Sequence, residues 1–190
     1  MNTLIPRQGT SYRKLLSYQK AEVVFDITYY FCQHFLSKGD RTVDQMIQAA
    51  RSGKQNIIEG CAASSTSKET EIKLINVAKA SLQELLADYE DYLRTHQHEQ
   101  WPEHSEKWEA MRQVGIKHSD STYYRQLIST HPAETIANIS IILIKQTDYL
   151  LYKQLKSLSQ KFLTEGGFRE RMTRMRLEER EKERHEKFKR

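Results

Sequence analysis

The residues best suited to chemistry lie near the C-terminal end. Arg169, Arg171, Arg174 and Arg176 fall within eight positions, with only Glu170 charged against them. A guanidinium is a planar fork that binds phosphate bidentately. Each phosphate neutralised by Lys or Arg releases a counterion, so such a cluster gives salt-sensitive, sequence-independent affinity for nucleic acid. At ~100° per residue, Arg169, Arg176, Arg180 and Lys187 fall close to one line on a helix, which Glu183 interrupts. Residues 164–190 hold ten Lys or Arg against seven Glu, a net +3 out of +5 for the whole chain. The same residues have a second reading, a solvated single helix held by i,i+4 pairs such as Glu170 with Arg174 and Glu178 with Lys182. Both readings stand on sequence alone.

Other chemistry is sparse. His96, His98, Glu99 and His104 are the nearest thing to a metal-ligand set, but they lie in a polar connector without ligand spacing, so chance surface histidines are the preferred reading. Cys32 and Cys61 form no CxxC. Cys32 falls on an apolar face and reads as a small core residue. Cys61 follows Gly60 and reads as a partly exposed thiol with no companion base. Arg51, Asn56 and Glu59 read as capping and an ion pair. There is no phosphate-cradling Gly-rich loop, HExxH or GxSxG. The expectation is a non-enzymatic protein with no catalytic residue, metal or cofactor, one that binds nucleic acid or a nucleic-acid enzyme through basic surfaces or, as the alternative, a protein-interaction scaffold that docks through its aromatic connector and charged tail.

The elements that must position the basic cluster are helices. Residues 47–93 organise the chain. Val43, Met46, Ile47, Ala50, Gly53 and Ile57 share one helical face. Gly60 is expected to end that helix in a left-handed cap, and Thr66 with Glu69 to open the next in a capping box. Ile75, Ala78, Leu82, Leu85, Tyr89 and Tyr92 then alternate at steps of three and four, a coiled-coil-like seam. A Gly inside a helix costs roughly 1 kcal/mol against Ala, so Gly53 among small neighbours predicts close approach of a second helix.

Upstream, residues 1–10 read as a loose lead and Ser11 as a cap. Tyr18, Ala21, Phe25, Thr28, Cys32 and Phe35 form a stripe flanked by Val24, Ile27 and Phe31, and Lys38-Gly39-Asp40 stops that helix. Residues 96–131 are long for a connection between bundle helices. They carry one short helix, from about Pro102 to Val114, and a Trp101, Trp108 and Met111 patch read as a lid. Tyr123 and Tyr124 with Arg125 could stack on bases, though plain packing is preferred. Pro132 opens a fourth helix to about 163. Ile136, Ile139, Leu143, Leu150 and Leu158 give it one core face. Ile141, Ile142, Ile144, Leu151 and Tyr152 give it a second, which calls for burial on another side. A neighbouring subunit is the favoured cover, with the 96–131 insertion as the alternative. Gly166-Gly167 then breaks the helix.

Length and composition agree. The chain has 190 residues, three Pro, seven Gly and 29% charged residues, which favours an all-α protein. The division is a lead (1–10), a bundle (11–163) with its insertion (96–131), and a charged extension (164–190). The N-terminal stretch has no apolar signal core. The longest apolar run, residues 139–144, is far short of the ~20 needed to cross a bilayer. A cytoplasmic protein with reduced thiols and no membrane contact is expected.

An ordered set of residues resembles a known family. Ala49-Ala50 with Ser52, then Asn56-Ile57 with Glu59-Gly60, then Ser67 before acidic residues, then Ala78-Lys79, Ser81-Leu82 and Glu84-Leu85, are similar to the family of 23S rRNA intervening-sequence proteins. That family includes the accessory proteins of diversity-generating retroelements. The charged extension resembles its four-helix bundle suffix subgroup. Ile47 and Gln48 stand where the family often carries Arg, and Lys54 where it often carries Pro. The resemblance implies an antiparallel up-down four-helix bundle, with a long insertion between its third and fourth helices and a charged C-terminal helical extension. It also implies a homo-oligomer, typically a pentamer, and partners among RNA, DNA or a reverse transcriptase.

Overall fold

The computed structural model describes residues 11–188, and among these all regular structure is helical. After a 3-10 turn at Tyr12–Lys14 come α1 (Leu16–Phe35), α2 (Arg41–Ala63), α3 (Lys68–Thr95), α4 (Glu106–Lys117), α5 (Ser121–Ile128), α6 (Ala133–Glu165) and α7 (Phe168–Phe188). The expected lead, residues 1–10, lies outside the described residues.

The apolar stripes pair as their spacing requires. α1 packs on α2 and α6, and α3 packs on the same two helices, around a core to which α4 and α5 also contribute Met111, Tyr124 and Ile128. On α3, Ile75, Ala78, Leu82, Leu85 and Tyr89 are fully buried, each large side chain contributing about 1.5–3 kcal/mol. The buried Tyr89 hydroxyl donates to Thr28 Oγ1 at 3.1 Å, which satisfies it across the core. On the other side, Lys79 Nζ and Gln83 Nε2 both bind Asp148 Oδ1, at 2.9 and 2.8 Å, fixing α3 against α6.

Several boundaries differ from the sequence reading. Gly60 does not end α2. It is buried inside the helix, which runs three residues further, and a Cβ there would sit 3.3 Å from Ile75 Cδ1. Its lack of a side chain serves helix contact rather than a left-handed cap. The cap of α3 is Ser67, whose hydroxyl accepts from Thr70 N at 3.1 Å, one residue beyond the expected Thr66. Ser11 makes no side-chain cap bond, and α1 starts at Leu16. Between α1 and α2, Gly39 takes φ +92° and Asp40 caps α2 through Thr42 N at 2.9 Å, a turn that only glycine makes cheaply.

Residues 96–131 form two helices, not one. α4 packs on α6 and α5 packs on α1. Asn138 on α6 holds its entry: its Oδ1 accepts from Trp101 N at 2.7 Å and its Nδ2 donates to Glu99 O at 2.9 Å. This corrects the reason for expecting a subunit contact on α6. Ile141, Ile142, Ile144 and Leu151 are at most 3% exposed within the single chain. Only Tyr152, at 53%, is open. The second apolar face is covered by the chain's own helices, so it supplies no argument for a partner copy.

Candidate nucleic-acid interface

α7 is set off from α6 by Gly166, whose φ of +73° is left-handed backbone that breaks the helix. Gly167 N donates to Glu170 Oε2 at 2.9 Å, satisfying one of the free donors at the start of α7. Met172 and Met175 are half-buried, and beyond them the described side chains of α7 face solvent. Among the described residues α7 makes no extensive packing with another helix. A helix this polar is held by its own backbone and side-chain pairs rather than by a core.

Those side-chain pairs are few. The i,i+4 pairs proposed from spacing do not form. Glu170 is turned to Gly167 instead of Arg174, and Lys182 meets Glu179 at 3.4 Å instead of Glu178. Arg174, Arg176 and Arg180 are exposed, and none has an ion-pair partner among the described residues. Arg169, Arg171 and Lys187 belong to α7, but their side chains lie outside the described residues. From Arg169 to Lys187 the helix rises ~27 Å at ~1.5 Å per residue. Among its described residues, Arg174, Arg176, Arg180, Lys182 and Arg184 are exposed, with Glu178, Glu179, Glu181 and Glu183 interspersed among them.

The remaining candidates are placed elsewhere. His98 Nδ1 lies 3.7 Å from Glu134, His96 stacks on Tyr92 with ring centroids 4.2 Å apart, and His104 sits against Trp108. Among the described residues no three His, Cys, Asp or Glu side chains converge as metal ligands. Asn56 donates to the Ser52 carbonyl, and Glu59 accepts from Gln55 rather than meeting Arg51. Cys61 is buried, not partly exposed, because α2 continues past it. Burial raises the thiol pKa of both cysteines, that of Cys32 to about 12. Tyr124 fills the core and one face of the Tyr123 ring is covered by His118 at 3.8 Å, so this pair is no open stacking platform. Trp101 and Trp108 are half-buried against the core and Met111 is buried, as a lid requires.

One group escaped the sequence reading. Lys20 on α1 is 2% exposed, and its Nζ donates to the Gly115 and His118 carbonyls. Burial lowers its pKa to about 8, with the Asp120 charge acting in the opposite direction. The available signal was a lysine between Tyr18 and Ala21, inside an apolar stripe.

No helix among the described residues is long and apolar enough to cross a membrane. Compared with protein-family models, curated proteins and solved structures, the chain matches none.

Proposed function

We propose that this is a non-enzymatic helical protein that binds RNA or DNA, or an enzyme acting on nucleic acid such as a reverse transcriptase, through α7. The observation that carries the reading is the exposure of Arg174, Arg176 and Arg180 without carboxylate partners among the described residues. Paired arginines would have to break an ion pair to reach a phosphate; these do not. In this reading α1, α2, α3 and α6 are an antiparallel up-down four-helix bundle, 96–131 is its insertion and α7 its charged extension. Assembly into a homo-oligomer, a pentamer by family resemblance, would present several copies of α7 to one strand. Such multivalency raises avidity without any new contact.

The test is fluorescence anisotropy of labelled 20-nucleotide RNA and DNA, with the wild-type chain and a triple Arg174→Gln, Arg176→Gln, Arg180→Gln variant. The reading expects low-salt binding that falls at least tenfold in the variant. Equal affinity of the two proteins would contradict it, and no binding at low salt would move the function to a protein partner.

A further inference from the structure

The C-terminal half of α6 has a face that the core does not use. Residues 149–164 contain three Lys and no Asp or Glu. At ~100° per residue, Tyr149, Tyr152, Lys153 and Lys156 fall within about 100° of one another. All four side chains are exposed, Tyr149 by 59% and Tyr152 by 53%. Leu151 and Leu158, on the opposite side of the helix, are buried in the core.

A single exposed tyrosine needs no explanation. These two stand at i and i+3 and are neighbours on the helix surface, and each has a lysine four residues further on. The cations are available. Among the described residues no carboxylate lies within ion-pair reach of Lys153 or Lys156. Lys145, earlier on α6, is by contrast answered by Glu103 at 2.7 Å. Lys153 Nζ lies 5.6 Å from the centroid of the Tyr149 ring, so a positive charge stands beside an aromatic surface open to solvent.

That pairing decides the occupant. A second copy of the chain would have to cover Lys153 and Lys156, and lysine is depleted from interface cores. A single-stranded polynucleotide has the complementary pattern. Its phosphates are neutralised by lysine, and its unpaired bases stack on aromatic side chains. In a duplex the base faces are already stacked on one another and give the tyrosines nothing to hold.

We propose that this face of α6 binds single-stranded RNA or DNA, with bases on Tyr149 and Tyr152 and phosphates at Lys153 and Lys156. The proposal rests on the reading of the chain as a nucleic-acid binder, and adds to it a strand class and a contact apart from α7.

Fluorescence anisotropy at low salt tests this with a 20-nucleotide RNA, the same strand as DNA, and the 20-base-pair duplex. Tyr149→Leu with Tyr152→Leu keeps apolar bulk at two exposed positions, which spares the fold, and removes the rings. It weakens binding of either single strand at least tenfold and of the duplex less than twofold. Tyr149→Phe with Tyr152→Phe keeps the rings and binds like wild type. Lys153→Gln with Lys156→Gln lowers the single-strand salt slope by about 1.4, two phosphates at about 0.7 each.

Unchanged single-strand affinity in the leucine variant would overturn the proposal, as would an equal loss on strand and duplex. Neither result would touch the assignment of α7, which the Arg174→Gln, Arg176→Gln, Arg180→Gln variant tests by itself. A leucine variant that binds as before but loses mass in light scattering would make this face a contact between copies, and would overturn the proposal too. A wild-type chain that binds no strand and no duplex would overturn both readings.

Discussion

A Cβ built on Gly53 would lie 2.8 Å from Leu82 Cδ2 and 3.6 Å from the Ala78 carbonyl oxygen. Leu82 is fully buried, so its side chain has little room to yield. Beside this contact Ser81 Oγ donates to Ser52 Oγ at 3.0 Å, a bond that only closely packed helices can make. α2 and α3 are therefore locked at Gly53.

This gives a signed prediction. Gly53→Ala gains about 1 kcal/mol of helix propensity but overpacks the core at a cost of about 1–3 kcal/mol. The net is destabilisation of up to about 2 kcal/mol in urea unfolding. Gly60→Ala, with its nearest contact at 3.3 Å from the end of Ile75, comes out close to neutral. A stabilised Gly53→Ala would show that the contact is slack.

Lys20 predicts a pH dependence. Its folded pKa of about 8 lies below its ordinary value of 10.5. Below pH 8 both states are protonated and the group adds no slope. Above pH 8 the unfolded chain binds more protons than the folded one, so stability rises with pH. The groups around it are Asp120 and Tyr124 on the α5 side, while Arg112 and Lys145 line the same groove between α1, α4 and α6. Cys32 and Cys61, both raised from 9.0 by burial, act the other way as the unfolded thiols ionise around pH 9. Between pH 8 and 9 the lysine alone contributes a rise of about 1 kcal/mol. The wild-type urea-unfolding profile minus that of Lys20→Met removes the cysteine contribution and should show that rise; identical profiles would contradict the assignment.

The same burial makes the thiols inert. Cys32 and Cys61 are buried and their pKa values are raised, while the thiolate is the reactive form. Native protein at pH 8 should give no fast reaction with a disulfide reagent, and two equivalents in denaturant. Rapid native labelling of Cys61 would mean that the end of α2 opens readily.

Asn138 predicts how the insertion is held. It is 2% exposed and bonds both Trp101 N and Glu99 O. Asn138→Ala leaves those groups without their partner, at a cost of about 1–3 kcal/mol. Faster hydrogen exchange should spread from residue 99 into α4. Exchange confined to Trp101 would mean that α4 is anchored by its own packing.

The long helices were legible because their apolar spacing is strong. Tyr89 and Leu82 declare the α3 seam at every turn, and Gly53 announced its neighbour through its cost. The extra apolar face of α6 was legible too, with the 96–131 segment as the alternative to a subunit as its cover; packing decided between them, and α4 is the helix of that segment that lies on α6. α5 was missed although Tyr124 and Ile128 share one face, because eight residues give too short a stripe to declare a helix. Gly60 misled because a glycine inside a contact and one at a cap look identical in sequence. Lys20 was missed because its carbonyl partners, Gly115 and His118, are about 95 residues away and backbone groups carry no sequence signal. The basic residues of α7 were visible at once. Whether they were neutralised by neighbouring Glu depended on side-chain geometry.

The most direct test of the central claim is the salt dependence of RNA binding. For a single strand, log Kobs falls against log[salt] with a slope of about −0.7 for each phosphate neutralised. The account predicts a straight line whose slope shrinks by about 2 in the triple Arg174→Gln, Arg176→Gln, Arg180→Gln variant. An affinity indifferent to salt, or a slope unchanged by the three substitutions, would contradict the assignment of α7 as the nucleic-acid contact.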